Sequence, residues 1–449
     1  MKIAREGRPR QLHRRDWPGF LNRVVPPVVW QRLAGPAGHA GDPRTRWSGK
    51  YVVLCWVAMG WSVQTQLTER FREGVELLAR LFPRRRRPGR SYQGLVKATG
   101  RVGLEGFQRF WRSLRATIPQ RLGQRWHWYG WIPLAVDGSR IDAPRTRRNA
   151  RRLGRAGRNK THPQWYLTWM VHLPTLLVWD WRQGPGTSSE RAHLQDMADS
   201  LPASALVVGD VGFGGFGFLG DLTRAGVSFL VRCASNTTLL VEATRQKIER
   251  VGEHQYVYLW PTGRRSRTPL RLRLIVLKRR QRRVYLLTNV LESTRLSRPM
   301  ASELYQARWG AEVGYRSLKQ TLGRRKVLAK TPEPGGSELA GSVLALALLM
   351  LQGALALGTR ITELSVAAAL KVIRRAIEAL RCRQPSANFV ASLRSALKDR
   401  YARGSSKRAR DWPHKKRESP PRPPKLRRPN RHERTRMNAL LWQYDATCG

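Results

Sequence analysis

Cysteine is scarce in this chain. Its 449 residues hold four, Cys55, Cys233, Cys382 and Cys448, widely separated and without histidine at ligand spacing. That excludes a disulfide framework and a thiolate zinc site, and it fits a reducing cytoplasm. Acidic residues are few as well: 30 Asp and Glu stand against 84 Lys and Arg, a net charge of +54 with a pI near 11.7. Solubility needs far less, so the expected partner is a polyanion that releases counterions on binding, nucleic acid first. Long apolar runs are also nearly absent. The basic start MKIAREGRPRQLHRRDW lacks a signal-peptide core. Leu339 to Thr359 alone reaches transmembrane length, and its alanines, with Gly341, Ser342, Gln352, Gly353 and Gly358 among them, predict a buried helix rather than a span. What the sequence does hold is 17 tryptophans and 41% hydrophobic residues, enough for a sizeable core and two or three domains. Small basic packaging proteins are not built this way; an enzyme acting on nucleic acid fits better.

Residues 1–130 read as helices, among them WSGKYVVLCWVAMGW and LTERFREGVELLARLF, separated by the linkers GPAGHAGDP and FPRRRRPGRS. From Pro133 the period shortens. IPLAVDG, PQWYLTWMVHL, TLLVWDW, ALVVGD and VSFLVR are short β-branched and aromatic runs, with the helical segment SERAHLQDMADSL between the third and fourth. They predict an α/β unit over 131–235, a mixed sheet with flanking helices. Over 236–289, YVYLW, LRLRLIVL and RRVYLLTNV follow without a helix, as a β-rich insertion would. Helices return over 290–402. Residues 403–449 form a basic, proline-rich tail: Arg403 to Arg436 holds 14 Lys and Arg, 3 Asp and Glu and six prolines, which predicts disorder and sequence-blind attachment to phosphates.

One helix carries the chemistry. In YQARWGAEVGYRSLK, a uniform helical step places Tyr305, Arg308, Glu312, Arg316 and Lys319 within an arc of about 80°, beside a seating stripe of Leu304, Ala307, Ala311, Leu318 and Leu322. Glu and Arg at i, i+4 are ordinary helix-stabilising neighbours, and that bland reading stands unless other acids join Glu312. Divalent metals want oxygen ligands, and basic residues beside them hold phosphates. Asp137 closes the run PLAVD before Gly138-Ser139, and Asp210 closes ALVVGD before a glycine-rich turn. Each alone has the common reading of a turn-forming Asp. Asp142, Asp180 and Glu190 are rival acids, read as structural or substrate-side. Gly212, Gly214 and Gly217 satisfy G-x-G-x-x-G, but VSFLVR ends in Arg232 where a dinucleotide site wants an acid.

Tyr305, Arg308, Glu312 and Lys319 match a Y-(2)-R-(3)-E-(6)-K signature. With Asp137 in LAVDGS, Asp210 in VVGDVGF and LLTN at 286–289, the chain from about Pro133 to Pro334 resembles the bacterial insertion-sequence DDE transposases of the insertion-sequence-four group. The resemblance implies an RNase H-like fold interrupted by the β insertion, and a helical N-terminal region, ending before about Arg125, that binds the element's ends. It implies that Asp137, Asp210 and Glu312 hold two Mg²⁺, with Mn²⁺ as a substitute, about 4 Å apart for in-line phosphoryl transfer. Tyr305, Arg308, Arg316 and Lys319 would bind DNA, with Lys319 about 10 Å along the helix from Glu312 and so on a neighbouring phosphate. If a hairpin forms at the cut end, Tyr285 before LLTN, or its rival Trp260, would receive a flipped base. The implied partners are double-stranded DNA at element ends and target, bound by a homodimer on paired ends in the cytoplasm, with the nucleoid and without a membrane. Val211 and Ala311 stand where the family often has arginine and isoleucine, which puts a DNA contact at 211 in question. A decayed or domesticated DNA-binding relative and a metal-dependent nuclease are the alternatives.

Overall fold

The computed structural model of the chain describes residues 16–33, 46–83, 87–156, 161–241, 255–279, 282–385, 388–398 and 422–448. Among them six helices come first: α1 (Trp17–Val24), α2 (Pro27–Leu33), α3 (Gly49–Trp61), α4 (Leu67–Leu81), α5 (Tyr92–Arg115) and α6 (Ile118–Leu122). The side chains of Asp16, Ser48 and Ser91 each accept the N–H three residues on, as N-caps do. Strands and helices then alternate through β1 (Ile132–Asp142), α7 (Arg147–Leu153), β2 (Gln164–His172), β3 (Leu177–Pro185), α8 (Glu190–Ala198), β4 (Ala205–Gly209), α9 (Phe216–Arg224) and β5 (Ser228–Arg232). Next come β6 (Thr238–Val241), β7 (Gln255–Leu259), β8 (Leu270–Arg279) and β9 (Arg282–Thr288). The chain continues with α10 (Arg298–Ala307), α11 (Trp309–Arg316), α12 (Pro332–Leu357), α13 (Val366–Arg381), α14 (Phe389–Arg394), β10 (Lys425–Arg427) and α15 (Arg431–Cys448).

Among the described residues ten strands form one mixed sheet in the order β10-β6-β7-β8-β9-β5-β4-β1-β2-β3. β1, β2 and β3 are antiparallel neighbours, while β4 runs parallel to β1 and β5 parallel to β4. β4 reads ALVVG, apolar throughout and buried throughout, as a strand covered on both faces must be. β9 joins antiparallel to β5, and β8, β7 and β6 follow in antiparallel order, so the strands after Thr238 lengthen the same sheet. The apolar run ending at Asp137 does not end β1. Its ladder with β2 runs on to Asp142 opposite Gln164, whereas its ladder with β4 stops at Ala135 opposite Val208. Asp137 therefore stands just past the end of the parallel pair, where the two strands part.

α12 is the helix among the described residues that is long and apolar enough to cross a membrane. It is buried along nearly its whole length and packs against α3, α5, α13 and α14. α3 is itself apolar on every face and buried, and the two helices approach closely through glycine. A Cβ on Gly341 would lie 2.6 Å from Trp56 Cβ and 3.0 Å from its carbonyl oxygen. Trp61 Nε1 donates to Ala345 O at 2.9 Å and Trp17 Nε1 to Gln352 Oε1 at 3.0 Å, so buried indoles find acceptors on the same helix.

A buried polar junction links these helices to the segment after α11. Arg324, 5% exposed, donates through one terminal nitrogen to the carbonyls of Met59, Gly60 and Ser62 at 2.9, 3.0 and 3.1 Å, the end of α3. Glu338 accepts the N–H groups of Leu328 and Ala329 at 2.8 and 3.0 Å and pairs with Arg70 at 3.4 Å.

The C-terminal segment departs from the expected disorder where it is described. Residues 399–421 lie outside the described residues, but β10 pairs parallel with β6, Lys425 opposite Thr238. Asn430 and Glu433 form a reciprocal cap at the start of α15, at 2.8 and 3.1 Å. Glu433 also binds Arg427 and Arg265, and Met437 packs with Leu240, Tyr258 and Trp260 in a small core. Charge and proline mask a segment that folds because a sheet edge and an apolar patch are waiting for it.

The glycine packing is testable. Gly341→Ala should destabilise the protein by about 1–3 kcal/mol, although alanine is the better helix former by about 1 kcal/mol. Gly100→Ala in α5, where an added methyl meets nothing within 4 Å, should stabilise by about 0.5–1 kcal/mol. Urea unfolding followed by circular dichroism reads both.

Candidate active site

The stretch from Tyr305 is not one uniform helix. α10 ends at Ala307, α11 begins at Trp309, and Ser317–Thr321 forms a turn of π-helix, a feature found disproportionately at functional sites. α11 lies close on the sheet because its inward side is glycine. A Cβ at Gly310 would sit 2.5 Å from Leu176 Cδ2, and one at Gly314 would sit 3.0 Å from the Trp169 ring. Tyr315 completes the seating: its ring stacks on Trp169 at 4.0 Å, and its hydroxyl lies 3.0 Å from Asp137 O and 2.8 Å from Leu167 O. One phenol thus links the helix to both β1 and β2.

This seating gathers the three predicted acids around Arg308 without drawing them to one point. Arg308 stands between two of them, its terminal nitrogen 3.1 Å from Glu312 Oε1 and 3.9 Å from Asp210 Oδ2. Tyr305 OH donates to Asp210 Oδ1 at 3.4 Å, and Arg232 from the end of β5 lies 3.8 Å from the same oxygen. Burial works against the Arg308 charge, but Asp210, Tyr305 and Glu312 more than offset it and its pKa is raised. Asp137 is partly buried beside Glu190 and Glu312. Burial first, then those two charges, push its carboxyl up to about 6, against the Gly138 N–H and Arg308, which favour the ionised form.

The other predicted residues fall less uniformly. Arg316 is exposed to solvent. Lys319, inside the π turn, does not continue the arc; its Nζ lies 2.7 Å from Ser139 Oγ on β1, and burial lowers its pKa while Asp142 and Asp137 oppose the shift. Tyr285 lies on β9 with its ring buried in the main core. Trp260 is 2% exposed, with its Nε1 on Arg267 O. Neither ring presents a free face to the acids; the sheet buries both because aromatic rings at strand positions serve its core. Trp309, next to Arg308 in the chain, is 51% exposed, and the signature itself passes over it. Asp180 is fully buried between Arg112 and Arg182, a structural acid as expected.

Glu190 matters more than its place in the sequence suggests. From the first turn of α8 its carboxylate accepts the Tyr166 hydroxyl and comes so close to β1 that a Cβ on Gly138 would lie 2.4 Å from Oε1. The sequence signal is the glycine after Asp137, which permits that approach. Around Asp210, Arg191 Nε donates to Gly212 O at 2.7 Å, so Arg191 and Arg232 bring positive charge to the loop that lacks an arginine at 211.

A hard divalent cation suits this donor set. The ligands on offer are carboxylate oxygens, one of them held protonated to unusually high pH by burial and negative neighbours, and a cation would relieve that crowding. Among the described residues no three His, Cys, Asp or Glu side chains are drawn to ligating distance of one point; Arg308 occupies the position between Asp210 and Glu312.

Residues 132–348 match the transposase DDE domain. The chain is 24% identical over 346 residues to the transposase InsG for insertion sequence element IS4 of Escherichia coli (strain K12), a match spanning 74% of this chain and 76% of that protein. Together these support a DDE transposase of the insertion-sequence-four group. A piggyBac transposase, solved by cryo-EM as a synaptic complex with hairpin DNA, is 11% identical, with a TM-score of 0.40 over 89% of this chain and 88% of that one. A likeness that remote decides nothing about this transposase's site.

Two measurements probe the site of the transposase. Gly138→Ala should cost about 1–3 kcal/mol, and Glu190→Ala should restore part of it, giving a coupling of about 0.5–3 kcal/mol in a double-mutant cycle. Independent losses would remove Glu190 from the wall of the site. The second concerns pH. Because the folded-state pKa of Asp137 is raised, its ionisation costs stability as pH climbs from the ordinary carboxylate range through about 6, and the cost is full above that. In chelator-treated protein Asp137→Asn should therefore stabilise at pH 7.5 by about 1–2 kcal/mol once solvent screening is allowed for. The gain should fade towards about pH 4.

Proposed function

We propose that this transposase binds the terminal inverted repeats of its own insertion sequence, nicks them by hydrolysis, and directs the freed 3′ hydroxyl into DNA. The observation that carries the reading is the convergence of Asp137 from β1, Asp210 from the end of β4 and Glu312 from α11 around the Arg308 guanidinium. The sheet order β3-β2-β1-β4-β5, with the first three antiparallel and the last two parallel to β1, supports an RNase H-like core.

Asp137, Asp210 and Glu312 would hold divalent metal, two Mg²⁺ ions with Mn²⁺ as a substitute. Bound there, the metal supplies Lewis-acid activation of the attacking and leaving oxygens of phosphoryl transfer. The chain's own residues do the rest. Tyr305 orients Asp210. Arg308 neutralises the carboxylates and lies where a phosphate approaching them would meet a fixed guanidinium. Arg316 faces outward for a phosphate. Lys319, partly shielded and pinned beside Ser139, holds its charge at the rim. Trp309 offers an exposed ring on which a base displaced from the stack can rest, a role its exposure suits better than the buried Tyr285. Two copies would act on paired ends, in the cytoplasm with the nucleoid, and the helices before about Arg125 would read the repeats. A metal-dependent nuclease on the same fold is the second reading, since the acids alone do not encode strand transfer; joined products from paired ends separate the two.

Asp137→Ala, Asp210→Ala and Glu312→Ala should each lower cleavage by roughly a hundredfold or more and weaken Mn²⁺ binding by calorimetry. Affinity for repeat-bearing DNA should stay within a few-fold. A variant that still cuts at nearly the native rate removes that acid from the site.

A further inference from the structure

α7 is a helix that its own charges oppose. Its sequence is RRNARRL, and Arg145, Arg147, Arg148, Arg151, Arg152 and Arg155 on and beside it are all exposed. Arg147 with Arg151 and Arg148 with Arg152 are like-charge pairs at i, i+4, which destabilise a helix. Arg147 and Arg148 also occupy the first turn, where the helix dipole disfavours positive charge. None of the six forms an ion pair among the described residues.

The helix exists because its other side is pinned. Thr146 caps it by accepting Asn149 N–H at 3.2 Å and reaches Lys330 O at 2.7 Å. Asn149, 1% exposed, donates to Pro144 O at 3.1 Å and to Ala329 O at 3.5 Å. Leu153 is buried and its carbonyl accepts Gly186 N–H at 2.9 Å. The scaffold therefore holds a row of unpaired arginines in place against local electrostatics. A conflict of that kind between local rule and global fold marks a functional surface.

We infer that α7 is a docking surface for duplex DNA of any sequence, held through its phosphates, and separate from the reading of the repeats. β1 runs on from Asp137 to its end at Asp142, about 17 Å along the strand, and the arginines begin just beyond that end, at Arg145. A duplex with one phosphate at the acids is about that wide, so the same or a crossing duplex reaches both. This inference rests on the transposase reading for the duplex at the acids, but its own test needs no cleavage.

The test is the full chain carrying Arg147→Gln, Arg148→Gln, Arg151→Gln and Arg152→Gln together, and a companion with lysine at the same four positions. Binding to a repeat-bearing duplex and to a scrambled duplex is measured without divalent metal over a range of salt. The glutamine variant should lose roughly tenfold or more in affinity for both duplexes alike, and its salt slope should fall by about 0.9 for each phosphate that the arginines no longer neutralise. Its thermal midpoint should rise at low salt, a gain that shrinks at high salt. The lysine variant should bind nearly as the native protein does. An unchanged slope, a loss confined to the repeats, a lower midpoint, or an equal loss with lysine would each overturn the inference. Failure of the alanine variants at the acids to abolish cleavage would instead strike the transposase reading and leave this result standing.

Discussion

The Arg324 guanidinium ties the segment that follows α11 to the end of α3. The last carbonyls of a helix have no partners within it, and those of α3 end inside the protein, where an unmet acceptor is costly. Arg324 meets three of them from one nitrogen, and its charge suits the negative end of the α3 dipole. Burial lowers its pKa to about 9, which leaves it charged at neutral pH. Arg324 stands three residues past the π turn, so the interaction that completes α3 also anchors the segment that follows α11. The segment behind Glu312 is therefore tied to a helix end 262–265 residues earlier, and α12, packed against α3, carries Glu338 into the same junction.

Around the acids, local rules are broken in several places together. α11 carries Gly310 and Gly314 where alanine would make a better helix, Leu176 holds a left-handed backbone angle of 55° in the hairpin beside it, and the helix loosens into a π turn just beyond. Asp137 is pressed between like charges. The α11 glycines let its backbone close on Leu176 and on the Trp169 ring of β2, and Gly138 lets the Glu190 carboxylate close on β1. That pattern is expected where a site is built for a partner rather than for the empty protein.

Much of this is legible in the sequence, for identifiable reasons. Period and β-branching mark the strands around Asp137 and Asp210, and the spacing of Tyr305, Arg308 and Glu312 survives the break at residue 308 because Arg308 keeps helical angles. Lys319 leaves the expected arc because a uniform 100° step does not hold through a π turn. Glu190 does not stand out because a lone acid in the first turn of a helix is commonplace, and the approach that distinguishes it is long-range. Tyr285 is a good aromatic in the right strand, but strand position alone does not say which face is covered. Composition hides β10 and α15, since average charge and proline content cannot register three residues finding a sheet edge.

That last strand also bears on how the protein is made. β10 completes the β6 edge with residues that leave the ribosome almost two hundred positions later. Until then the growing chain carries an unpaired edge and an uncovered Trp260 and Tyr258, the kind of surface that recruits stray strands or chaperones. Synthesis of the final helix is thus also the step that seals the sheet, and a chain stopped short of it would be born with an adhesive flank.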